Sequence, residues 1–344
     1  MDPIKFTPGA HTKYFKRFLQ MMPPQAQKGD SQRLMVAFFS ISGLDMINSL
    51  ESCNAQYRLD MIEWIYSLQI HPSDDDESWK RCGFMGSSNL KLQSADSKEY
   101  QYGHIAMTYT ALSSLVILGD DLSRVNRHAV IQGVRALQQP DGSFCAHLNG
   151  SENDMRFIFC AAVICYILKD WSGMDTTLVE DFIKSSISYE GAIAQGPGLE
   201  AHGGSTYCAI AALVLMDRLC IFSEEEIEKL RRWLLMRQMA GFQGRPNKPD
   251  DTCYSFWVGA TLKLLDRYQY IDGKSNRNYI LSTQHILTGG FSKWCDTSPD
   301  PLHTYFGICG LSLMNEPGLK EMNCALNMSV DAVNRLTEIQ KCYS

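Results

Sequence analysis

The sequence predicts an all-α protein in which about six inner and six outer helices form a closed α/α barrel. Three observations predict it: a motif that returns every roughly 50 residues, an alternation of amphipathic and almost wholly apolar helical stretches, and hardly any strand pattern. A closed barrel buries the apolar helices on all sides, which an open solenoid would not do as completely.

The repeat consists of a helix followed by glycine and an aromatic or small residue. It occurs at Gly83-Phe84, Gly142-Ser143-Phe144, Gly191-Ala192, Gly241-Phe242 and Gly290-Phe291. Glycine after a helical stretch is typical of a helix C-terminus. Amphipathic stretches, predicted to be outer helices, lie at 62–68, 134–138, 230–236 and 279–284. More apolar stretches, predicted to be inner helices, lie at 106–118, 155–168, 205–216, 253–265 and 304–314. Parallel inner helices would place all their N-termini, with their positive dipole ends, at one mouth of the barrel.

Length and composition limit the classes of protein. The 344 residues, 45% of them apolar, fit two ordinary domains or one large closed domain. The repeat favours one domain over residues 1–344, with an N-terminal extension at 1–30 and a C-terminal tail at 316–344. A net charge of −6 argues against general nucleic-acid binding. Twelve scattered cysteines without a CxxC pair indicate reduced thiols in the cytoplasm, and neither a signal peptide nor a membrane span is expected.

One pattern predicts a metal site. Asp251, Cys253 and Tyr254 begin one predicted inner helix, and Leu302, His303 and an equivalent tyrosine begin the next. The repeat places His303 at the level of Asp251 and Cys253, and carboxylate, thiolate and imidazole together suit zinc with one open coordination position. The alternative is a capping aspartate, a core cysteine and a hydrogen-bonded core histidine.

A short basic loop precedes this helix. Arg245 and Lys248, made rigid by the proline between them, are suited to hold a diphosphate at the positive mouth, and His202 and Lys293 fall near the same mouth. Solvated loop charges are the alternative. Aromatic residues recur on the inner helices and would line either a packed core or an apolar funnel. The acidic run at 74–77 and the pair Asp120-Asp121 complete neither a DDxxD nor a DxDD pattern, so terpene-synthase chemistry lacks its usual groups.

From about residue 31 to residue 314, the sequence resembles the β subunits of protein prenyltransferases. The D-x-C motif followed by Tyr, and the later His, correspond to Asp251, Cys253, Tyr254 and His303. The resemblance implies an α/α barrel, one catalytic zinc, and a helical-repeat α subunit in a heterodimer. It also implies a diphosphate pocket, formed by His202, Arg245, Lys248, Tyr254 and Lys293.

Within that family the type I geranylgeranyltransferases are the most similar, through stretches such as 103–109 and 151–157. Leu302 and Lys293 stand where farnesyltransferases carry Tyr and a magnesium-binding Asp, so the resemblance implies that magnesium is not required. Met35 departs from the small residue usual at that position, which puts the length of the accepted lipid in question. The resemblance implies a lipid and peptide wall of Met35, Phe39, His104, Ala106, Met107, Tyr109, Arg156, Phe157, Trp257 and Leu302, although ordinary packing accounts equally well for several of them.

The implied reaction is transfer of a geranylgeranyl group from geranylgeranyl diphosphate to the cysteine of a C-terminal C-a-a-X sequence, preferably with Leu at X. Rho-family and related small GTPases, and G-protein γ chains, are the implied protein substrates. A farnesyl-type or Rab-type β subunit is the nearest alternative. A terpene cyclase and a non-enzymatic α/α-barrel binding module are more distant ones.

Overall fold

The structure, a computed structural model, describes residues 5–23, 29–73, 77–91 and 101–343, so that Asp74 to Asp76 of the acidic run and part of the 1–30 extension lie outside the described residues. The described chain contains thirteen α-helices and two short antiparallel β-ribbons, β1 with β2 and β3 with β4. The helices are α1 (Pro8–Gln20), α2 (Arg33–Met46), α3 (Ala55–Ser67), α4 (Ile105–Leu118), α5 (Arg127–Ala136), α6 (Met155–Leu168), α7 (Thr176–Ser185), α8 (Gly203–Leu215), α9 (Glu224–Leu235), α10 (Tyr254–Leu264), α11 (Gly273–Ser282), α12 (Pro301–Leu313) and α13 (Val330–Lys341). The strands are β1 (Gln69–Ile70), β2 (Gly83–Phe84), β3 (Met322–Asn323) and β4 (Met328–Ser329).

Six helices form a closed inner ring. Each of α2, α4, α6, α8, α10 and α12 packs against the next, and α12 packs against α2. The inner helices are apolar on all faces: every residue of α4 is buried. The outer helices bury one face only, as α9 does with Ile227, Leu230, Trp233 and Leu234. The predicted closed α/α barrel is confirmed, and α2 adds an inner helix for which the repeat gave no signal.

The inner helices begin at one end of the barrel, and several begin with a side chain that accepts backbone hydrogen bonds. His104, Asp154, His202 and Asp300 are the N-caps of α4, α6, α8 and α12. Such caps satisfy N–H groups that have no partner within the helix. Polar and ionisable side chains therefore gather at this mouth, because the N-termini of the inner helices require hydrogen-bond acceptors there.

The repeated glycines do not end helices, and that prediction is wrong. Helix α5 ends at Ala136 and α11 at Ser282, whereas Gly142 and Gly290 lie in the turns that follow, with φ of 90° and 91°. These turns are closed by isolated antiparallel bridges such as that between Gln138 and Phe144. The left-handed backbone at Gly142, Gly191 and Gly290 requires glycine, so the motif at these positions marks the turn that leads into an inner helix.

Both terminal segments are folded where the structure describes them. Helix α1 packs on α2 and α12, and the segment after residue 316 closes the end of the barrel opposite the mouth. There Lys320 forms an ion pair of 2.7 Å with the buried Asp45 near the end of α2, and Arg335 donates to carbonyl groups near the end of α4. None of the described helices has the length and apolar character needed to span a membrane.

Candidate functional site

Three side chains at the starts of α10 and α12 converge as a candidate metal site. The ligand atoms of Asp251, Cys253 and His303 all lie within 4.8 Å of one another, and Asp251 and Cys253 are buried. Nε2 of His303 is 3.2 Å from Oδ1 of Asp251, which also accepts the Cys253 backbone N–H at 3.0 Å. The predicted trio is therefore assembled in space. A carboxylate, a thiol and an imidazole at this separation fit a zinc ion, and three protein ligands leave one of its usual four coordination positions for another group.

A fourth residue, Asp300, fixes the orientation of the histidine. Its Oδ2 lies 2.6 Å from Nδ1 of His303, and its Oδ1 accepts the His303 backbone N–H at 2.9 Å. Because Nδ1 faces a carboxylate, Nε2 is the nitrogen turned toward Asp251 and Cys253. Metal-binding histidines commonly have such a carboxylate partner, so Asp300 supports the fit.

The electrostatics of the trio favour a cation. Burial alone would lower the pKa of His303, but the carboxylates of Asp251 and Asp300 outweigh it and raise that pKa to about 9. Burial would raise the pKa of Asp251, yet its hydrogen bond with His303 brings it below the usual value. Burial, together with the Asp251 charge, raises the pKa of the Cys253 thiol well above its usual range. The site therefore holds protons that a metal would displace.

A cleft of about 360 Å³ opens beside the trio. Its lining includes Asp251 and all five residues predicted to hold a diphosphate, which are His202, Arg245, Lys248, Tyr254 and Lys293. Trp294, Gly244 and Pro249 complete the wall. The predicted basic loop and the predicted metal trio thus share one mouth.

His202 and Tyr254 form a hydrogen-bonded pair whose polarity the structure defines. Nδ1 of His202 accepts the backbone N–H groups of Gly204 and Ser205 at 3.1 and 3.3 Å, so the ring proton is on Nε2. Nε2 is 2.8 Å from the Tyr254 hydroxyl and donates to it, which leaves the hydroxyl hydrogen free to point into the cleft. Burial, followed by the Arg245 charge, lowers the pKa of His202, so this arrangement persists at neutral pH. Gly244 packs against the Tyr254 ring, where any larger side chain would displace it.

The cations of the cleft are partly exposed and differ in their partners. Arg245 pairs with Glu200 at 2.6 Å. Lys248 is exposed, and Lys293 Nζ lies 3.6 Å from Oδ2 of Asp251 and 4.6 Å from the centre of the Trp294 ring. The ion pair of Arg245 with Glu200 is exposed on both sides and contributes little stability, so Arg245 can turn toward an anion at small cost.

Below the mouth, aromatic rings form a closed belt to which every inner helix contributes. Neighbouring ring centroids are 5.0–5.8 Å apart. The belt consists of Phe38, Tyr109, Phe159, Tyr207, Phe256, Phe306 and Tyr305. On the side away from the mouth, the hydroxyls of Tyr207 and Tyr305 donate to the carbonyls of Cys324 and Asn327, and Tyr109 accepts from the Asn327 side chain. The segment between β3 and β4 is therefore the floor beneath the belt.

The predicted wall residues occupy three places. Phe39 and Trp257 pack against the belt, Phe39 against Tyr305 and Phe306, and Trp257 against Tyr207 and Phe306. His104, Arg156 and Phe157 form a group at the mouth: the Phe157 ring contacts His104, and the Arg156 guanidinium lies over Phe157 while binding Asp154. Met35, Ala106 and Leu302 lie near the starts of their helices, and Met107 packs against Gly86.

Several residues of the site were not predicted. Asp300 followed by a proline and, three positions on, by His303 is a helix-start pattern that could have indicated the histidine's partner. Glu200 gave no such signal, because nothing in the sequence shows that it meets Arg245. The sequence does not show that Cys324 and Asn327 lie beneath the belt, because these contacts exist only once the ring of inner helices has closed.

The comparisons with known proteins agree with this geometry. Residues 6–328 match the prenyltransferase alpha-alpha toroid domain. The chain is 40% identical over 336 residues to the geranylgeranyl transferase type-1 subunit beta of Dictyostelium discoideum, covering 94% of this chain and 95% of that protein. It is 37% identical over 343 residues to the protein of the same name from Arabidopsis thaliana, covering 93% and 90%. A solved structure of Candida albicans protein geranylgeranyltransferase-I complexed with GGPP superposes with a TM-score of 0.88 at 25% identity, covering 97% and 99%. This chain thus belongs to the prenyltransferases with an alpha-alpha toroid domain, among the β subunits of the type-1 geranylgeranyl transferases.

Proposed function

We propose that this chain, in a heterodimer with a helical-repeat α subunit, transfers a geranylgeranyl group from geranylgeranyl diphosphate to the cysteine of a C-terminal C-a-a-X sequence, preferably with Leu at X. One observation carries the proposal: Asp251, Cys253 and His303 converge beside a cleft lined by His202, Arg245, Lys248, Tyr254 and Lys293. A thiol-activating site and an anion-binding site thereby share one mouth, next to an aromatic barrel interior. The named relatives and the GGPP complex of the Candida albicans enzyme support the same reaction.

The proposed metal is one zinc ion per chain, held by Asp251, Cys253 and His303. Zinc bound there would lower the pKa of the substrate thiol and so supply a thiolate at neutral pH. Asp300 would keep His303 oriented through its contact with Nδ1. Asp251 has a second oxygen toward Lys293, which keeps that ammonium group close to the reacting atoms.

The cleft residues would stabilise the leaving group. In the transfer the substrate sulfur forms a bond to C1 of the lipid, the C–O bond breaks, the bonding pair leaves with the diphosphate, and the thiol proton passes to solvent. Negative charge therefore grows on the diphosphate, where the Tyr254 hydroxyl, aligned by His202, donates a hydrogen bond. Arg245 and Lys248 supply positive charge from the loop before α10.

Lys293 supports the proposal that magnesium is not required. Its side chain is 45% exposed and its ammonium group reaches both Asp251 and the cleft. A fixed cation at this position can offset diphosphate charge without a second metal.

The proposed wall divides according to position. Phe39, Tyr109 and Trp257, on the belt, and Met35, at the start of α2, would contact the lipid. His104, Arg156 and Phe157 at the mouth would contact the end of the peptide, with Ala106, Met107 and Leu302 as nearby packing residues. Burial lowers the pKa of His104 to about 4, so this ring is neutral and offers its Nε2–H at the mouth.

The exposed surface supports a partner at the mouth. Large apolar side chains on the loops that lead into the inner helices are open to solvent, with Tyr189 99% exposed, Leu287 90% and Ile286 68%. Apolar surface of this kind at one end of a barrel is typical of a protein interface. We infer a cytoplasmic heterodimer that acts on small GTPases, including Rho-family members, and on G-protein γ chains, and that binds no nucleic acid.

A lipid competition tests the proposed reaction. The heterodimer receives a C-a-a-L peptide with equal farnesyl and geranylgeranyl diphosphate, zinc, and no magnesium, in a single-turnover experiment. A dominant C20 thioether is expected, and would show that Met35 leaves room for the fourth isoprene unit. A dominant C15 product, or product only after magnesium is added, would favour the farnesyl type. No transfer to the peptide, together with transfer to a Rab protein offered in its place, would favour the Rab type.

A further inference from the structure

The N-terminal residues 5–20, here the strap, cross the loop that connects α11 to α12. That loop, residues 284–300 and here the site loop, carries Lys293 and leads to Asp300 and His303. Helix α1 within the strap packs on α2, so one end of the strap is anchored independently of the loop. The strap has no part in the metal trio or the cleft.

Gln284, the first residue of the site loop, is bound to the strap through both ends of its amide. Its Oε1 accepts from the Thr7 backbone N–H at 3.0 Å and faces Nε2 of His11 at 3.0 Å. Its Nε2 donates to the Lys5 carbonyl at 3.0 Å. Gln284 is only 9% exposed, so water cannot readily replace these hydrogen bonds if they are lost.

His11 binds both sides of the turn in the site loop. It is fully buried, and its Nδ1 accepts the Gly290 backbone N–H at 2.9 Å, so Nε2 carries the proton that goes to Gln284. Its ring stacks on Phe291 with centroids 4.6 Å apart. Gly290 lies against Tyr14 with φ of 91°, a position that admits no side chain.

The same turn of the site loop also forms hydrogen bonds with residues next to the metal trio. The Phe291 N–H donates to Oγ1 of Thr304, which follows His303, at 3.0 Å. Oγ1 of Thr252, which lies between Asp251 and Cys253, donates to the Ser292 carbonyl at 2.7 Å, and the Thr252 N–H reaches the Lys293 carbonyl at 3.2 Å. A shift of this turn would move both halves of the trio and Lys293 together.

We propose that the strap positions the site loop for metal binding, with His11 as the positioning residue. The proposal rests on the proposed function, because it concerns the affinity of the same trio for zinc. His11 touches neither substrate nor the trio and acts through Gly290 and Phe291. Removing it would leave the Gly290 N–H unpaired and the ring of Phe291 without its stacking partner.

The test uses the heterodimer with His11→Ala and measures zinc affinity by competition with a chelator. Groups bonded directly to metal ligands change metal affinity by roughly 10 to 100-fold, so about 10-fold weaker binding is expected for this more distant residue. Hydrogen–deuterium exchange, which requires no metal, is expected to quicken at residues 285–293. The matched control is Phe15→Leu, because the buried Phe15 lies on the same helix as His11 but packs on Gly43 of α2.

Two nearly isosteric variants keep the test decisive if His11→Ala does not fold. His11→Asn retains an acceptor for the Gly290 N–H. His11→Gln retains a donor toward the side chain of Gln284 but lacks an acceptor placed for Gly290. We expect His11→Asn to bind zinc within about threefold of the wild type and His11→Gln to be weakened. Equal zinc affinity and equal exchange in the two variants, or the same losses in Phe15→Leu, would overturn the proposal. A wild-type heterodimer without zinc affinity would overturn the proposed function instead, and the exchange comparison would still decide the role of the strap.

Discussion

The hydroxyl of Tyr254 is predicted to contribute to catalysis and hardly at all to metal binding. Tyr254→Phe removes the donor that His202 aligns at 2.8 Å and leaves the His202 N–H without its acceptor. Loss of one preorganised donor in an oxyanion site costs about 100 to 1000-fold in rate. Here the diphosphate charge is shared with Arg245, Lys248 and Lys293, so a smaller loss of about 10 to 100-fold is expected, or about 1.4–2.7 kcal/mol.

The assay is single-turnover transfer at saturating lipid and peptide, with zinc content measured on the same samples. Tyr279→Phe is the matched control. Tyr279 lies beside the loop that carries Lys293, but its hydroxyl reaches only the Lys293 carbonyl, at 3.5 Å. The control is expected to stay within about twofold of the wild type. If Tyr254→Phe transfers lipid at the wild-type rate, the hydroxyl does not face the leaving group and the assigned tautomer of His202 has no catalytic consequence.

Three further predictions follow from contacts around the site. Asp300→Asn leaves a single acceptor oxygen for the two N–H groups of His303, at Nδ1 and on the backbone, so zinc affinity should fall roughly 10 to 100-fold; Asp272→Asn, the same change at the N-cap of α11, retains that cap and should leave zinc affinity unchanged in the same chelator competition. Asn327→Ala removes a buried donor to a belt tyrosine and should lower the free energy of unfolding by about 1–3 kcal/mol in a urea titration, and an unchanged midpoint would refute the role of the floor. Burial, opposed by a hydrogen bond, lowers the pKa of His11 to about 4, so the unfolded chain binds a proton below about pH 6.5 that the folded chain refuses. Stability should therefore fall by up to about 1.4 kcal/mol per pH unit from pH 6.5 to 4 on account of this residue, and His11→Asn should flatten the dependence, whereas parallel wild-type and variant curves would contradict it.

The sequence predicted the barrel and the metal trio because both depend on local periodicity. Alternating helix types at a fixed spacing require neighbouring inner helices to start at the same level, and that register alone brings His303 to Asp251 and Cys253. The basic residues of the cleft could be predicted for the same reason, since the repeat places His202 and Lys293 at the mouth beside the loop of Arg245 and Lys248, whereas the assignment of Tyr254 to the cleft came from the family resemblance.

Contacts between residues far apart in the chain were beyond such reasoning. His11 and Gly290 are joined only because the ring closes and α1 crosses its seam, and the pairing of Asn327 with Tyr109 needs the floor to fold back under the belt. The glycine motif was assigned to helix ends because sequence alone does not separate a helix C-terminus from a turn that follows it. Met107 shows the same limit: its helix could be predicted, but not that the side chain faces Gly86.

Zinc titration of the metal-stripped heterodimer decides whether the trio of Asp251, Cys253 and His303 holds the metal that transfer requires. Bound zinc and single-turnover geranylgeranylation of a C-a-a-L peptide would be followed together, in the wild type and in Cys253→Ala. We predict that activity returns in proportion to zinc and saturates at one ion per chain, and that the variant neither binds the ion tightly nor recovers activity. Full activity of the stripped wild type, or of Cys253→Ala, would contradict it.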